Sequence, residues 1–291
     1  MRPRILVTGA RGQIGYELAR LLGPYGEVIA ADREMLDLAQ ADTIVAAVRS
    51  AKPALIVNAG AYTAVDRAES EVELAQAVNG RAPGILAEEA KRQRALLIHY
   101  STDYVFDGKR TTPYPEDAAT GPLNVYGATK LEGERAIAAA GGHSIVLRTS
   151  WVYGLRGKNF LLTVRRLAAE RDELAIVADQ IGVPNWSRAL AEATARIVAA
   201  GLPALAERTG LYHLSATGRA SWHEFAQAIV GDAKRPRVVP ITTAEYPTPA
   251  RRPAYGVLAT GRFESTFGFG LPEWRDVLAR CIASPVEPTV A

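Results

Sequence analysis

The sequence contains few of the residues from which disulfides and structural metal sites are built. Of its 291 residues, one is a cysteine, Cys281, and four are histidines. A single cysteine excludes an internal disulfide, and no group of Cys and His residues has the spacing of a metal site. We therefore interpret Cys281 as a packed, inert thiol, and we expect no metal ligands.

Two further absences exclude whole classes of partner. No apolar run reaches the length of a membrane-spanning helix, and the few apolar residues after Met1 are too short a run for a signal peptide. The formal net charge is only +3, and no dense Lys/Arg block is interleaved with aromatic residues. We expect no membrane and no nucleic acid as partners. The most direct expectation is a soluble protein of a reducing compartment, the cytoplasm.

Short apolar runs alternate with helical patterns through the first half of the chain. They predict strands at residues 5–7, 28–31, 55–58, 96–101 and 144–148. This alternation predicts an α/β fold, a Rossmann-type doubly wound parallel sheet with helices on both faces. After Thr149 the pattern loosens, which predicts a smaller C-terminal α/β substrate domain. We expect residues 1–149 to form the dinucleotide-binding domain, with the chain returning to it at about 185–218, and residues 150–291 to be mainly substrate-binding.

The remaining patterns predict the other elements. Residues 111–122 contain three prolines and predict a loop, and residues 236–253 predict a loop with a short strand. A helical pattern covers residues 72–90, with Pro83 as a break or kink. Other segments predict helices at 14–22, 41–52, 126–140, 160–169, 188–200 and 222–230, and a strand at 211–215.

Three glycines lie between the first predicted strand and the first helix. Gly9, Gly12 and Gly15 have the spacing G-x-x-G-x-x-G. Backbone amides at a helix N-terminus bind phosphate, and glycines let the pyrophosphate of a dinucleotide approach closely. Asp32 ends the second strand, where a carboxylate binds a ribose 2′-hydroxyl, and Arg33 beside it suits a 2′-phosphate. The pair predicts that NADH and NADPH are both accepted; an ordinary polar turn is the alternative.

Polar and small residues follow the next two strands. The small residues from Asn58 to Thr63 leave room for a ligand at the carboxyl edge of the sheet. Thr102 ends the fourth strand, where its hydroxyl can bond a substrate carbonyl, although a hydroxyl satisfied by backbone is the commoner case. His99 lies inside that strand and is expected to be packed rather than catalytic.

Tyr126 and Lys130 are four residues apart in a predicted helix, so both side chains project from one face. A neighbouring ammonium favours phenolate and is expected to lower the pKa of the tyrosine. The pair can therefore transfer a proton. Alone, the spacing also fits an ordinary amphipathic helix.

Seven stretches together resemble the extended short-chain dehydrogenase/reductases, and more narrowly the family of dTDP-4-dehydrorhamnose reductases. They follow the family order over nearly the whole chain, at residues 9–15, 57–66, 99–106, 122–130, 148–153, 179–184 and 246–253. The resemblance implies reduction by NADPH or NADH of the C4 keto group of dTDP-4-dehydro-6-deoxy-L-mannose to dTDP-L-rhamnose. The expected partner is thus a dTDP-sugar, and the protein is expected to be a monomer or homodimer.

The same resemblance implies a role for each matching residue. Thr102, Tyr126 and Lys130 would be catalytic, with Tyr126 as the proton donor. Contacts to the dinucleotide would come from Gly12, Gln13, Ile14, Asp32, Asp37, Leu38, Ala61, Tyr62 and Thr63. The deoxysugar would contact Thr102, Asp103 and Trp151. The nucleotide diphosphate would lie along Gln180, Gly182, Pro184 and Arg252.

Two other functions and one metal are compatible with the resemblance. The chain could act on another nucleotide sugar as a reductase or epimerase, or it could be a non-catalytic NADP-binding regulatory subunit like that of methionine adenosyltransferase. Some relatives are dimers bridged by Mg²⁺ through glutamates. Glu192 matches the first of these, but residues 280–291 offer no clear match for the second, which argues against Mg²⁺.

Overall fold

Six parallel strands form the central sheet of the computed structural model, which describes residues 2–231 and 236–285. Within these residues the strands β1 to β12 are, in chain order, Arg4–Thr8, Glu27–Ala31, Leu55–Asn58, Leu96–Thr102, Ser144–Thr149, Val152–Tyr153, Glu173–Val177, Ile181–Gly182, Asn185–Trp186, Gly210–His213, Ala220–Ser221 and Arg237–Ile241. The order in the central sheet is β10-β5-β4-β3-β1-β2. The predicted Rossmann-type parallel sheet is confirmed.

Helices cover both faces of this sheet, and further helices lie in the second half of the chain. The helices α1 to α12 are Gln13–Leu21, Ala41–Ala51, Val65–Ala68, Val72–Ala75, Ala82–Gln93, Val125–Ala140, Phe160–Glu170, Ser187–Val198, Leu202–Ala206, Trp222–Val230, Gly261–Phe267 and Trp274–Ala283. Single 3₁₀ turns lie at Gly23–Tyr25, Asp103–Val105 and Thr243–Glu245. Within the described residues, no helix combines the length and hydropathy that crossing a membrane requires.

The strands of the central sheet are buried because helices cover them from both sides. Every residue of β3 and β4 is buried, as expected of a parallel sheet with two covered faces. Later parts of the chain complete the central sheet and its helical cover. Strand β10 pairs with β5, and helix α8 packs on α1. The carboxyl ends of β1, β3 and β4 therefore meet at one edge, above which α6 begins.

The predicted helix at 72–90 is divided into three parts. A π-helical turn at Gln76–Arg81 separates α4 from α5. Pro83 lies in the first turn of α5, where its missing N–H removes no helical hydrogen bond. The helix is interrupted by the π turn just before Pro83 rather than at the proline itself, and this π turn has no signal in the hydrophobic pattern.

The second half of the chain packs small strand pairs around an aromatic core. Parallel β7 and β12 pair with each other, and β12 is the short strand expected within residues 236–253. The largest buried side chains of this core include Trp274, Phe225 and Tyr153. Cys281 on α12 is also fully buried there, and burial raises the pKa of its thiol to about 12, which confirms the packed thiol.

A buried ion pair ties α6 to the sheet. Arg148 on β5 donates from Nε and Nη2 to the two carboxylate oxygens of Glu134, at 2.8 and 2.6 Å. Ser101 on β4 donates to the same carboxylate at 2.5 Å. The two charged side chains are only 4% and 6% exposed, so each depends on the other for its solvation.

Replacing Glu134 by Gln should leave the Arg148 guanidinium buried without a counter-charge. We expect the free energy of unfolding to fall by about 3 kcal/mol, since breaking a buried pair strands the remaining charge. The matched control is Glu170→Gln, whose pair with Arg166 is 51% and 61% exposed; the expected change there is below about 0.5 kcal/mol. Denaturant unfolding measures both, and equal small losses would contradict the expected dependence on burial.

Candidate active site

A cleft of about 1130 Å³ opens at the carboxyl edge of the central sheet. Its wall includes predicted residues from five strand ends and from α6, which are Gly9, Gly12, Gln13, Ile14, Asp32, Arg33, Asp37, Ala61, Thr63, Thr102, Asp103, Tyr126, Lys130 and Trp151. Residues more than a hundred positions apart therefore face a common space, as expected of ligand sites in parallel sheets.

The glycine turn leaves no space for side chains. Gly9 has a φ of +64°, and a Cβ there would lie 2.6 Å from the Cα of Gly60. A Cβ on Gly15 would lie 2.1 Å from the Gly9 carbonyl oxygen. Gly12 is the N-cap of α1 and donates its N–H to Gly9 at 2.8 Å. Gly15 thus packs behind the turn, while Gly9 and Gly12 face the cleft.

Two guanidinium groups flank the acidic end of β2. Arg11 Nη2 lies 2.6 Å from Asp32 Oδ2, and Arg33 Nε lies 3.2 Å from Asp37 Oδ2. The backbone N–H groups of residues 34 and 35 also donate hydrogen bonds to Asp32. The bond from Met35 is the largest cause that lowers the pKa of the carboxyl, and the charge of Arg11 and the bond from residue 34 lower it further. Arg11 was not among the predicted residues, although its position inside the glycine turn was a usable signal.

Asn79 in the π turn fixes the loop that follows β3. Its amide accepts from the Tyr62 N–H at 2.9 Å and donates to the Tyr62 carbonyl at 3.0 Å. The Tyr62 hydroxyl donates to Glu71 at 2.6 Å, and neither Tyr62 nor Leu38 lies on the cleft wall. Leu38 instead fills the space beside Gly60, where a Cβ would meet its Cδ1 at 2.6 Å.

Tyr126 lies in the first turn of α6, which begins because the Asn124 side chain accepts from the Gly127 N–H at 2.8 Å. Burial raises the pKa of Tyr126 to about 12; a hydrogen bond with Thr102 lowers it and the charge of Asp103 raises it. The spacing of Tyr126 and Lys130 in the sequence predicts a lowered pKa for the tyrosine. That expectation is wrong for this structure, because burial dominates.

Lys130 is itself buried, with 2% of its surface exposed. Its Nζ donates to the Tyr100 carbonyl at 2.7 Å and lies 3.2 Å from His99 Nε2. Burial lowers the pKa of Lys130 to about 8, although the Glu134 charge one turn along α6 raises it. The lysine is thus held by the backbone of β4 and by His99 rather than by the phenol.

Asp103 follows Thr102 on the cleft wall and has a buried carboxyl, whose Oδ2 would lie 2.4 Å from a Cβ on Gly256. Thr102 donates to its Oδ1 at 3.1 Å, while Oδ2 has no hydrogen-bond partner among residues 2–231 and 236–285. Burial raises the pKa of Asp103 to about 7, although its hydrogen bonds lower it.

Two stacked tryptophans, Trp151 and Trp222, also line the cleft. The rings of Trp151 and Trp222 lie 3.5 Å apart at an interplanar angle of 7°. Trp151 has a φ of +42°, which is rare for a bulky residue and is typical of functional sites. A Cβ on Gly182 would lie 2.4 Å from the Trp151 indole, so glycine is needed there. Trp222 was not predicted as a site residue, and no local pattern marks it.

The structure does not bring the residues expected along a diphosphate to the cleft wall. Gln180 donates to Thr243 at 3.1 Å, and Arg252 donates to Asp66 at 2.7 and 2.9 Å. Gly182 packs against Trp151, and the backbone at Pro184 is buried between β8 and β9. Only Gly182 is in contact with a tryptophan of the cleft wall, and none of the four residues lines the cleft.

The described part of the chain contains no group of three or more His, Cys, Asp and Glu side chains that could hold a metal ion. Glu192, the residue considered for Mg²⁺, contacts Arg280 at 3.0 Å and Arg188 at 3.4 Å. The final stretch considered with it lies outside the described residues from position 286 onward.

Known proteins resemble this chain over almost its full length. The family model for the RmlD substrate binding domain matches residues 2–286. The dTDP-4-dehydrorhamnose reductase of Burkholderia thailandensis is 48% identical, with 96% of this chain and 98% of that protein covered. The Escherichia coli K12 enzyme of the same name is 43% identical over 93% and 94%.

A solved structure agrees with these relatives. The dTDP-4-dehydrorhamnose reductase of Bacillus anthracis, in complex with NADP, superposes with a TM-score of 0.91 at 34% identity, covering 97% of this chain and 99% of that one. Fold and sequence thus agree over almost the whole chain. The chain belongs to the RmlD substrate-binding-domain family of the extended short-chain dehydrogenase/reductases.

Proposed function

We propose that this protein reduces the C4 keto group of dTDP-4-dehydro-6-deoxy-L-mannose to dTDP-L-rhamnose, with NADPH or NADH as the reductant. The observation that carries the proposal is one cleft that joins the glycine turn of β1 to Thr102, Tyr126 and Lys130. The names of the close relatives support the same reaction. We also propose the division into a dinucleotide-binding part, residues 1–149, and a mainly substrate-binding part, residues 150–291.

The residues at the sheet edge fit a dinucleotide. The turn at Gly9 and Gly12 is a cradle that a Cβ would fill, and it begins α1 with backbone N–H groups that suit a pyrophosphate. Asp32 would bind the adenosine ribose, with Arg33 and Arg11 beside it for a 2′-phosphate. When bound, the nicotinamide supplies the hydride; the protein orients it and provides the proton.

Tyr126 is the proposed proton donor to the developing alkoxide. Because burial raises the pKa of Tyr126 to about 12, the phenol carries its proton throughout the neutral range. Thr102 bonds the same oxygen and shares a hydrogen bond with Tyr126. Lys130 would bind the nicotinamide ribose, and its charge would favour the phenolate left after proton transfer.

The tryptophan end of the cleft is proposed to bind the sugar nucleotide. Trp151 and Trp222 offer an apolar wall, and Asp103 offers a hydrogen-bonding carboxyl to the deoxysugar. Arg252 would reach the diphosphate by leaving Asp66, the only partner with which it forms a salt bridge among the described residues. Gln180, Gly182 and Pro184 would support this region from behind the wall.

Tyr126→Phe removes the donated proton and keeps the shape of the ring. We expect kcat to fall by about 10²- to 10⁴-fold, the usual contribution of a positioned general acid. Loss of nicotinamide absorbance with the dTDP-keto sugar measures the rate. Tyr25→Phe makes the same chemical change at an exposed tyrosine and should keep kcat within about twofold.

Retention of the wild-type rate by Tyr126→Phe would contradict the role of the phenol. Turnover of the sugar without stoichiometric oxidation of NADPH would indicate an epimerase. No turnover by the wild-type protein with any keto sugar, together with co-purification of a methionine adenosyltransferase, would favour the regulatory role.

The rate should depend on the charge of Lys130. Its pKa is about 8, so the ammonium is present below this pH and is lost above it. We therefore expect kcat/KM for the cofactor, which reports the titrating groups of the free enzyme, to fall as the pH rises from 7 to 9, while Tyr126 stays protonated. Asp103, with a pKa of about 7, titrates on the acid side of this range. Steady-state rates between pH 6 and 10 test this, and a kcat/KM for the cofactor that is flat or rises across pH 8 would contradict it.

The choice between the two cofactors should depend on Arg33. Arg33→Ala removes a cation suited to the 2′-phosphate, so kcat/KM for NADPH should fall about tenfold while that for NADH stays nearly unchanged. Arg166→Ala, at an exposed arginine far from the cleft wall, is the control. Equal decreases in kcat/KM for NADPH and NADH would show that Arg33 does not recognise the 2′-phosphate.

A further inference from the structure

His99 lies at the centre of a buried row of polar side chains. Its Nε2 is 3.2 Å from Lys130 Nζ, and its Nδ1 is 2.9 Å from the Asn58 side-chain amide. Asn58 Oδ1 lies 2.6 Å from the Thr8 hydroxyl, which accepts from the Gly60 N–H at 3.4 Å. The row thus runs from the lysine to the loop that lines the cleft.

Sheet register creates this row. Thr8 on β1 is the Cα partner of Asn58 on β3, and Asn58 is the partner of His99 on β4. Neighbouring partners in a parallel sheet place their side chains on the same face at the same level. Lys130 descends from α6 onto the end of the row. His99, Asn58 and Thr8 are at most 1% exposed, so the row has no free exchange with water.

The row restricts where the imidazole proton lies. Burial, together with the charge of Lys130, holds the pKa of His99 well below its usual range, so the ring is neutral and carries one proton. If the Lys130 ammonium donates to Nε2, that proton is on Nδ1 and needs an acceptor, which is the oxygen of the Asn58 amide. If Lys130 is a neutral amine, Nε2 can carry the proton and Nδ1 accepts from the amide nitrogen. Rotation of the amide by 180° interconverts the two arrangements with little movement of heavy atoms.

We propose that His99 is a positioning residue for Lys130, which it holds as an ammonium by accepting at Nε2, while the rotated amide of Asn58 accepts the proton on Nδ1. The inference rests on the proposed function, because it concerns the lysine assigned there to the nicotinamide ribose. Tyr100 O supplies one acceptor for Nζ and His99 Nε2 supplies a second. With these two directions occupied, the remaining N–H is directed to the cleft.

The other charged groups around Lys130 are unchanged when residue 99 is substituted. Glu134 faces Nζ from the next turn of α6, and its charge is balanced by Arg148 on β5. Tyr126 lies one turn earlier on α6, and Asp103 faces Tyr126 from the turn after β4. None of these groups contacts the His99 ring through a hydrogen bond among the described residues. A change at position 99 therefore acts on Lys130 through the lost acceptor.

Substitution of His99 by Gln or by Asn distinguishes the roles of the two imidazole nitrogens. Glutamine extends far enough to place an amide oxygen where Nε2 lies, and asparagine reaches only the level of Nδ1. We expect His99→Asn to shift the alkaline limb of the kcat/KM profile for the cofactor to lower pH by about one unit, because the ammonium loses an acceptor. At pH 8 its kcat/KM should fall about fivefold, because the ammonium fraction drops from about one half to about one tenth. His99→Gln should keep the limb within about 0.3 unit of wild type, since it restores that acceptor.

The wild-type protein provides a second test that needs neither variants nor turnover. With only four histidines, the imidazole ¹⁵N resonances can be assigned one by one. We expect His99 to be the Nδ1–H tautomer at pH 6.5 and to become the Nε2–H tautomer as Lys130 loses its proton near pH 8. A tautomer that does not change between pH 6.5 and 10 would overturn the proposal, as would equal shifts of the alkaline limb in both variants.

These outcomes are distinct from failure of the proposed function. If Tyr126→Phe keeps full activity, the assignment of the proton donor fails, whatever the tautomer of His99. If Tyr126→Phe is inactive and the Gln and Asn variants have the same pH profile as wild type, only the role of His99 fails. Thermal unfolding of both variants checks that they fold, and a purely structural role predicts that they lose stability without any displacement of the pH profile.

Discussion

Burial of the Lys130 ammonium against the end of β4 is the interaction on which the arrangement of the cleft depends. A buried cation has to replace its lost hydration with fixed partners. The carbonyl of Tyr100, the ring of His99 and the charge of Glu134 supply them. Because Glu134 in turn bonds Arg148 and Ser101, the helix that carries Tyr126 is fixed to two strands of the sheet.

Much of the fold could be predicted because its signals are local. Buried parallel strands are continuous apolar runs, and the glycines between β1 and α1 mark a turn that only glycine allows. The cleft residues of β1, β2 and β4 could likewise be placed, since strand ends in a parallel sheet share one edge. The strands of the second half escaped prediction more often, because β6, β8, β9 and β11 have two residues each and leave no periodic pattern.

The electrostatics of the site could not be predicted from spacing alone. A lysine four residues after a tyrosine suggests a lowered phenol pKa, yet burial has the larger effect and raises it. Nothing in the sequence near Arg252 indicates that Asp66, 186 residues away, holds its guanidinium. Trp222 was missed for the same reason: its importance comes from a partner, Trp151, brought to it by the fold. Pairings between distant residues are the part of a site that a single sequence hides.

The stacked indoles of Trp151 and Trp222 also have a spectroscopic consequence. One ring follows β5 of the central sheet and the other begins α10 in the second half of the chain. At a separation of 3.5 Å their electronic transitions couple, which gives the pair an optical signature that two isolated indoles lack. Any movement of α10 relative to the sheet alters that coupling. The protein therefore carries an intrinsic chromophore pair that reports on the geometry of its own cleft.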